Sequence, residues 1–158
     1  MAALALSLGI SRPTLYKWCG DREQLLTDVI WSIADVTLDD VIAATARMRG
    51  VNRALAVMTR FTAAISASSA FNTYLRNETH SALRLLTTRR GFQDRLVNKI
   101  AEFLRAESER SSLALRADPR LIAYAIVRTT EGFVYNDAVA AVEPRLDDAR
   151  DIVRLILD

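Results

Sequence analysis

Gly9, Pro13 and Gly20 divide the first twenty residues of this chain so closely that only very short helices fit between them. Glycine is a poor helix-interior residue, and proline fixes φ while removing a backbone donor, so each marks an end or a first turn. The pattern predicts a helix to Leu8, a turn, a helix from about Arg12 to Trp18, and a second break. Small Ala5 falls where two such helices would cross closely, Gly9 where the turn needs a positive φ, and Leu15 at an inward anchor. Leu4, Leu8, Ile10 and Trp18 take the remaining inward positions. This is the spacing of a helix-turn-helix, although an ordinary helical hairpin would share part of it.

The rest of the chain reads as helix as well. Ala, Leu and Arg, all good helix formers, dominate, and no stretch alternates apolar and polar residues as a half-buried strand does. Asp21 with Gln24 has the spacing of a capping box, opening a long helix expected to run towards Arg49 and to stop at Gly50. Asn52 is then placed as the cap of a helix carrying Leu55, Met58, Phe61 and Ile65. The run Ser66 to Ser69 ends it, and a shorter helix with Phe71, Tyr74 and Leu75 follows, with His80 near its far end. Gly91 opens an amphipathic helix whose stripe is Phe92, Leu96, Ile100 and Phe103. Asp118 and Pro119 make an N-cap and N1 pair, and Pro144 is expected to start the last helix. The helix from Pro119 is apolar on two sides, which means burial on both. The fold class is therefore all-α, with a headpiece over residues 1–28 and a helical bundle over residues 29–158.

Of the 158 residues, 51% are hydrophobic and 25% charged, an ordinary globular balance, and the net charge is only +2. Any nucleic-acid surface must therefore be local. No apolar run approaches the ~20 residues of a membrane span, so no membrane partner is expected. The start lacks a basic n-region, and the single Cys19 cannot form an intramolecular disulfide, which together point to a cytoplasmic chain. Catalysis has little to work with. A Ser, His and Asp arrangement would have to use His80, one Cys and one His cannot build a zinc site, and no nucleotide-binding glycine motif occurs. No enzyme activity and no cofactor are expected.

The segment LGISRPTLYKWCGDREQLL closely resembles the DNA-binding signature of the TetR family of transcriptional regulators, over about residues 3 to 30. Beyond that the likeness is architectural, and the C-terminal half is also similar to members that sense quorum-type lactone signals. The resemblance implies a dimeric repressor that binds operator DNA and is released by a small, largely apolar effector, whether acyl, lactone or aromatic. It places Ser11, Arg12, Pro13 and Thr14 at the helix end that enters the major groove. Arg12 is the candidate for a guanine edge, and Thr14 for a phosphate or a thymine methyl. Tyr16 and Lys17 look like the family's phosphate clamps, and Arg22 with the free N–H groups of the next helix forms a second anion site. Trp18 stands where a His is common, and Cys19 where an aromatic usually plugs the headpiece; Trp18 is expected to share that plugging. The family also carries a helix before this motif. Two short helices cannot enclose Leu4, Leu8, Ile10, Leu15 and Trp18, so the headpiece is expected to need that third layer. The alternative is a dimeric small-molecule-binding protein that lacks DNA binding because its headpiece is incomplete.

For the effector, the expected cavity residues are Phe61, Tyr74, Phe103 and Phe133, with His80 at a mouth. Arg128 either anchors a carbonyl or carboxylate there or pairs with Glu131 or an acid across a dimer seam. That seam is assigned to the helices beginning at Pro119 and Pro144, with Phe133 and Val153 on it.

Overall fold

The computed structural model describes residues 1–88, 91–140 and 142–158, leaving aside the side chain of Ala138. Among them there are helices and no strand, the all-α class that the helix-forming composition implies. Helices α1 (Ala2–Ser7) and α2 (Arg12–Cys19) form the headpiece, and α3 (Arg22–Ala44) leads away from it. The bundle contains α4 (Gly50–Ala67), α5 (Ser69–Asn77), α6 (Thr79–Thr87), α7 (Phe92–Arg110) and α8 (Pro119–Glu131). A π-helical turn, Gly132–Asn136, prolongs α8 into the short α9 (Asp137–Val139), and α10 (Leu146–Leu157) closes the chain.

The core lies where α3, α4, α7, α8 and α10 meet. Leu38, Val57, Leu86, Ile100, Leu104 and Ile126 are essentially sealed from solvent at its centre. No helix among the described residues is long and apolar enough to cross a membrane.

Local chemistry explains the boundaries that the sequence predicts. The Ser11 hydroxyl accepts from the Thr14 amide at 3.2 Å and so caps α2. An Asp21 carboxylate oxygen accepts from the Gln24 amide at 2.8 Å and caps α3. Gln24 does not complete the reciprocal half of a capping box, because its amide group donates to Asp28 instead, at 3.1 Å. Asp118 accepts from the amides of Arg120 and Leu121, which fits the Asp and Pro start of α8.

Three boundaries differ from the pattern reading. Helix α3 stops at Ala44, not towards Arg49, because the Thr45 hydroxyl donates back to the carbonyls of Val41 and Ile42, and the Arg53 guanidinium takes up those of Ile42 and Thr45. Gly50 opens α4 rather than ending α3, and Asn52 lies inside the new helix. The φ of Gly50 is +62°, a left-handed value that favours glycine, and its amide donates to Glu107 at 2.6 Å. The last helix begins at Leu146, past Pro144, since Arg145 is held outside it by Asp137. His80 belongs to the start of a separate helix, α6, not to the end of α5.

The headpiece buries little. Ala5 and Leu15 are enclosed where α1 meets α2, and Gly9 turns the chain between them with φ +65°. Leu4, Leu8 and Trp18, read as inward from the spacing, are 38%, 55% and 68% exposed. A six-residue and an eight-residue helix enclose only the pair of side chains between them. Trp18 lies outside the contact of α1 with α2, while Cys19 is half-buried with its thiol on the Leu15 carbonyl.

Candidate nucleic-acid interface and apolar cavity

On α2 the seven-residue stretch from Ser11 to Lys17 exposes a contiguous polar surface. Ser11, Arg12, Pro13, Tyr16 and Lys17 are exposed, and Thr14 is half-buried beside Ser11, their hydroxyls 2.7 Å apart. Arg12 and Tyr16 share one side of the helix, and Pro13 and Lys17 the next, by the four-residue repeat. Ser11 is occupied with its capping bond, so Arg12, Tyr16 and Lys17 are the side chains free to reach outward. Arg22 stands apart from them. Its guanidinium pairs with Glu78 at 2.6 Å, with both side chains well exposed.

Helix α3 joins this surface to the bundle, and a row of ion pairs fastens it there. Glu23 pairs with Arg84, Asp28 with Arg95 at 2.9 Å, and Asp35 and Asp39 both with Lys99. Each exposed pair contributes little alone, ~0–1 kcal/mol. Their common effect is to fix α3 in rotation, with its apolar side turned towards α4 and α7.

Behind that apolar side lies a narrow cavity, open at a mouth. Helix α3 contributes Ile30 and Ala34, α4 contributes Met58, Phe61 and Ile65, α7 contributes Phe92, Leu96 and Ile100, and α8 adds Ile126 and Val127. Val134 and Tyr135 enter from the π-helical turn. Such turns are rare inside α-helices and are frequent at functional sites. The lining is almost wholly apolar, and the charged side chain on it among the described residues is Glu131. Glu131 is buried there, its two oxygens each accepting from the Gln93 amide group at 3.1 Å, and Oε2 also from Arg128 at 2.7 Å. Burial raises the Glu131 carboxyl above its ordinary range against the opposing pull of Gln93 and Arg128. The Tyr135 hydroxyl has no hydrogen-bond partner among the described residues, and burial, then the charge of Glu131, push its phenol up.

Of the residues expected at the cavity, Phe61 lines it and the other five do not. Phe103 is buried elsewhere, beneath the Arg53 guanidinium at 5.2 Å. Phe133 lies under Arg145 at 5.3 Å, Tyr74 approaches Ser81, and His80 is exposed. Arg128 is 46% exposed and reaches Glu131 from outside, so the carboxylate, not the guanidinium, faces the cavity. In the sequence these residues were separated from the true lining only by which helical stripe they occupy, and aromatic character outweighed stripe position.

The polar group that sequence reasoning missed altogether is the most buried. Glu107 is sealed from solvent and accepts from Arg53 at 2.6 Å, from Arg110 at 2.7 Å and from the Gly50 amide. Its signal was available: Ile100, Phe103, Leu104 and Glu107 share one stripe of α7, so a carboxylate stands where an apolar side chain belongs. Gln93 on the same helix and Glu131 on α8 break their stripes in the same way.

Comparison with known proteins follows this geometry. No curated protein sequence matches the chain. The structure of the R. erythropolis transcriptional repressor QsdR from TetR family superposes with a TM-score of 0.89 at 22% identity, over 99% of this chain and 82% of that one. At that identity the likeness is one of fold. Residues 49–158 match the family model described as Tetracyclin repressor-like, C-terminal domain. That match takes in most of the chain, α4 to α10, and with it every wall of the cavity but α3; the chain belongs to the TetR family of transcriptional regulators, whose members are transcription factors and not enzymes.

Proposed function

We propose that this protein is a homodimeric repressor that holds operator DNA through α2 and leaves it when a small, largely apolar molecule enters the cavity. One observation carries the reading: the helix that bears the headpiece is itself a wall of the cavity, through Ile30 and Ala34. An occupant larger than the empty space must displace a wall, and α3 transmits its displacement to α2. Two recognition helices of a dimer must lie about one DNA turn apart, ~34–36 Å, to enter successive major grooves. A small tilt of α3 changes that spacing, and coupling of this kind is typically worth ~1–3 kcal/mol. Family members are homodimers that bind operator DNA and small-molecule effectors, which supports the same scheme.

Within the headpiece, Arg12 reads a base edge and Tyr16 and Lys17 clamp phosphates. Arg22 reaches a phosphate by leaving Glu78, an exchange that costs little because both partners are exposed.

The deciding experiment is a mobility shift on DNA flanking the gene, at low salt, with and without acyl amides, lactones and small aromatics. Retarded DNA that is freed by one of these compounds is the expected result. A protein whose melting temperature rises with such a compound but that never retards DNA would instead be a small-molecule-binding dimer. Salt dependence separates the side chains. Lys17→Ala should make the slope of log affinity against log salt shallower by about 0.9, one phosphate's share. Arg12→Ala should mainly relax sequence preference. Equal slopes for wild type and Lys17→Ala would remove Lys17 from the interface.

A further inference from the structure

We infer that the cavity selects its occupant by charge: it admits an uncharged, elongated apolar molecule whose polar end both donates and accepts a hydrogen bond, such as a primary amide, and refuses the matching carboxylate. The inference rests on the cavity being the effector site. Its basis is the one charged side chain on the lining among the described residues, Glu131, and the tyrosine one turn further on, Tyr135. Glu131 Oε2 accepts two hydrogen bonds, from Gln93 and Arg128, whereas Oε1 accepts one, from Gln93. Oε1 therefore keeps an accepting position, and a carboxylate accepts only. The Tyr135 hydroxyl has no partner among the described residues and can donate. An amide placed there gives its N–H to Oε1 and its carbonyl oxygen to the Tyr135 hydroxyl.

A carboxylate in the same place fails on both counts. It offers Oε1 no proton, and it brings a second negative charge beside the first in an apolar enclosure, where like charges are poorly screened. Arg128 does not cancel this. It is nearly half exposed and approaches Oε2 from outside, so its charge is largely met by water. Gln93, 2% exposed, holds the carboxylate in place from α7 without adding a charge. A free fatty acid and its amide share one apolar tail, so the walls cannot tell them apart and the difference falls on Glu131 and Tyr135.

The test is calorimetric titration of the full chain at neutral pH with naphthalene, decanamide and decanoate. Naphthalene binding reports the cavity itself. Decanamide should bind at least about tenfold more tightly than decanoate, the minimum expected of an opposed buried charge. Glu131→Gln should bring the ratio close to one by admitting decanoate, and Tyr135→Phe should weaken decanamide about tenfold while leaving naphthalene unchanged. Both are side chains of conserved volume, and unchanged helical circular dichroism with intact naphthalene binding would show that each variant is folded. Decanoate binding as well as decanamide in the wild type, or an unaltered ratio in Glu131→Gln, overturns the inference while leaving the cavity in place. Failure of all three probes overturns the effector site itself.

Discussion

Glu107→Ala is expected to lower the stability of the protein by about 3–5 kcal/mol, the usual cost of removing one partner from a buried ion pair. For a chain of this size that is roughly 6–20 °C in melting temperature. The Arg53 side chain is 9% exposed and would be left with its charge in the core, over Phe103, with no counterion. The Gly50 amide, at the start of α4, would lose its acceptor as well. Replacing both charges, Arg53→Leu with Glu107→Leu, should recover part of the loss, since no lone charge remains. It should not recover all of it, because the Gly50 amide stays without its acceptor and the carbonyls of Ile42 and Thr45 each lose a donor. Thermal melts of the two variants distinguish these outcomes; a Glu107→Ala protein within ~1 kcal/mol of wild type would show that the pair is solvated in practice.

The same carboxylate gives a pH signature with a definite sign. Burial alone would raise it, but Arg53, the Gly50 amide and Arg110 together hold it below its ordinary value of 4.5. A group depressed in the folded state contributes stability above its unfolded value and loses it as the pH falls through the folded one. The difference between wild type and Glu107→Ala should therefore be constant from neutral pH down to about 4.5 and shrink below it.

This cluster also shows what could be read from the sequence and what could not. The headpiece was legible because its constraints are local: Gly9, Gly20 and the caps Ser11 and Asp21 act within four residues of themselves. The end of α3 was not, because the Arg53 that helps to terminate it lies on the next helix and is held there by Glu107, far along the chain. Cavity residues suffered from the same distance. Phe61 and Phe103 look alike in sequence, and only the packing of α3 and α7 sends one to the cavity and the other under Arg53. The informative positions were polar residues on apolar stripes, Arg53, Gln93, Glu107 and Glu131. Each is a commitment to a partner elsewhere, since a buried polar group without one is costly.

Two functions thus draw on different halves of one helix. The N-terminal part of α3 carries α2 and is tied to α5, α6 and α7 by exposed ion pairs that exchange at little cost. Its C-terminal end is tied by Arg53 to a buried network that does not exchange. A displacement of Ile30 or Ala34 by an occupant is therefore expected to swing the headpiece end about a fixed far end. On the proposed mechanism, the strength of the Arg53 cluster would matter to function as well as to stability.

The double variant Leu121→Glu with Leu155→Glu should be monomeric and should lose operator affinity by about 10²–10⁴. Helices α8 and α10 pack on each other, and their outward sides leave Leu121 and Leu155 at 60% and 72% exposed, with Tyr124 and Ile152 beside them at about 40%. Two copies pressed together along these sides make a four-helix seam, with crossings of roughly 20°. Phe133 and Val153, which the sequence pattern also placed there, differ from these in exposure. Val153 is 3% exposed and faces α4, and Phe133 is covered by Arg145. Charging Val153 would therefore unfold the bundle, whereas charging Leu121 and Leu155 alters exposed positions and should leave helical circular dichroism intact. Affinity falls because a dimer binds its second half-site as an intramolecular event, an advantage of about 10²–10⁴ that vanishes with the linkage. Sedimentation at roughly micromolar concentration and a mobility shift on the same preparations provide the two readings. Monomers with undiminished operator affinity would break the connection between seam and DNA binding, and a variant that still sediments as a dimer would place the seam on another face.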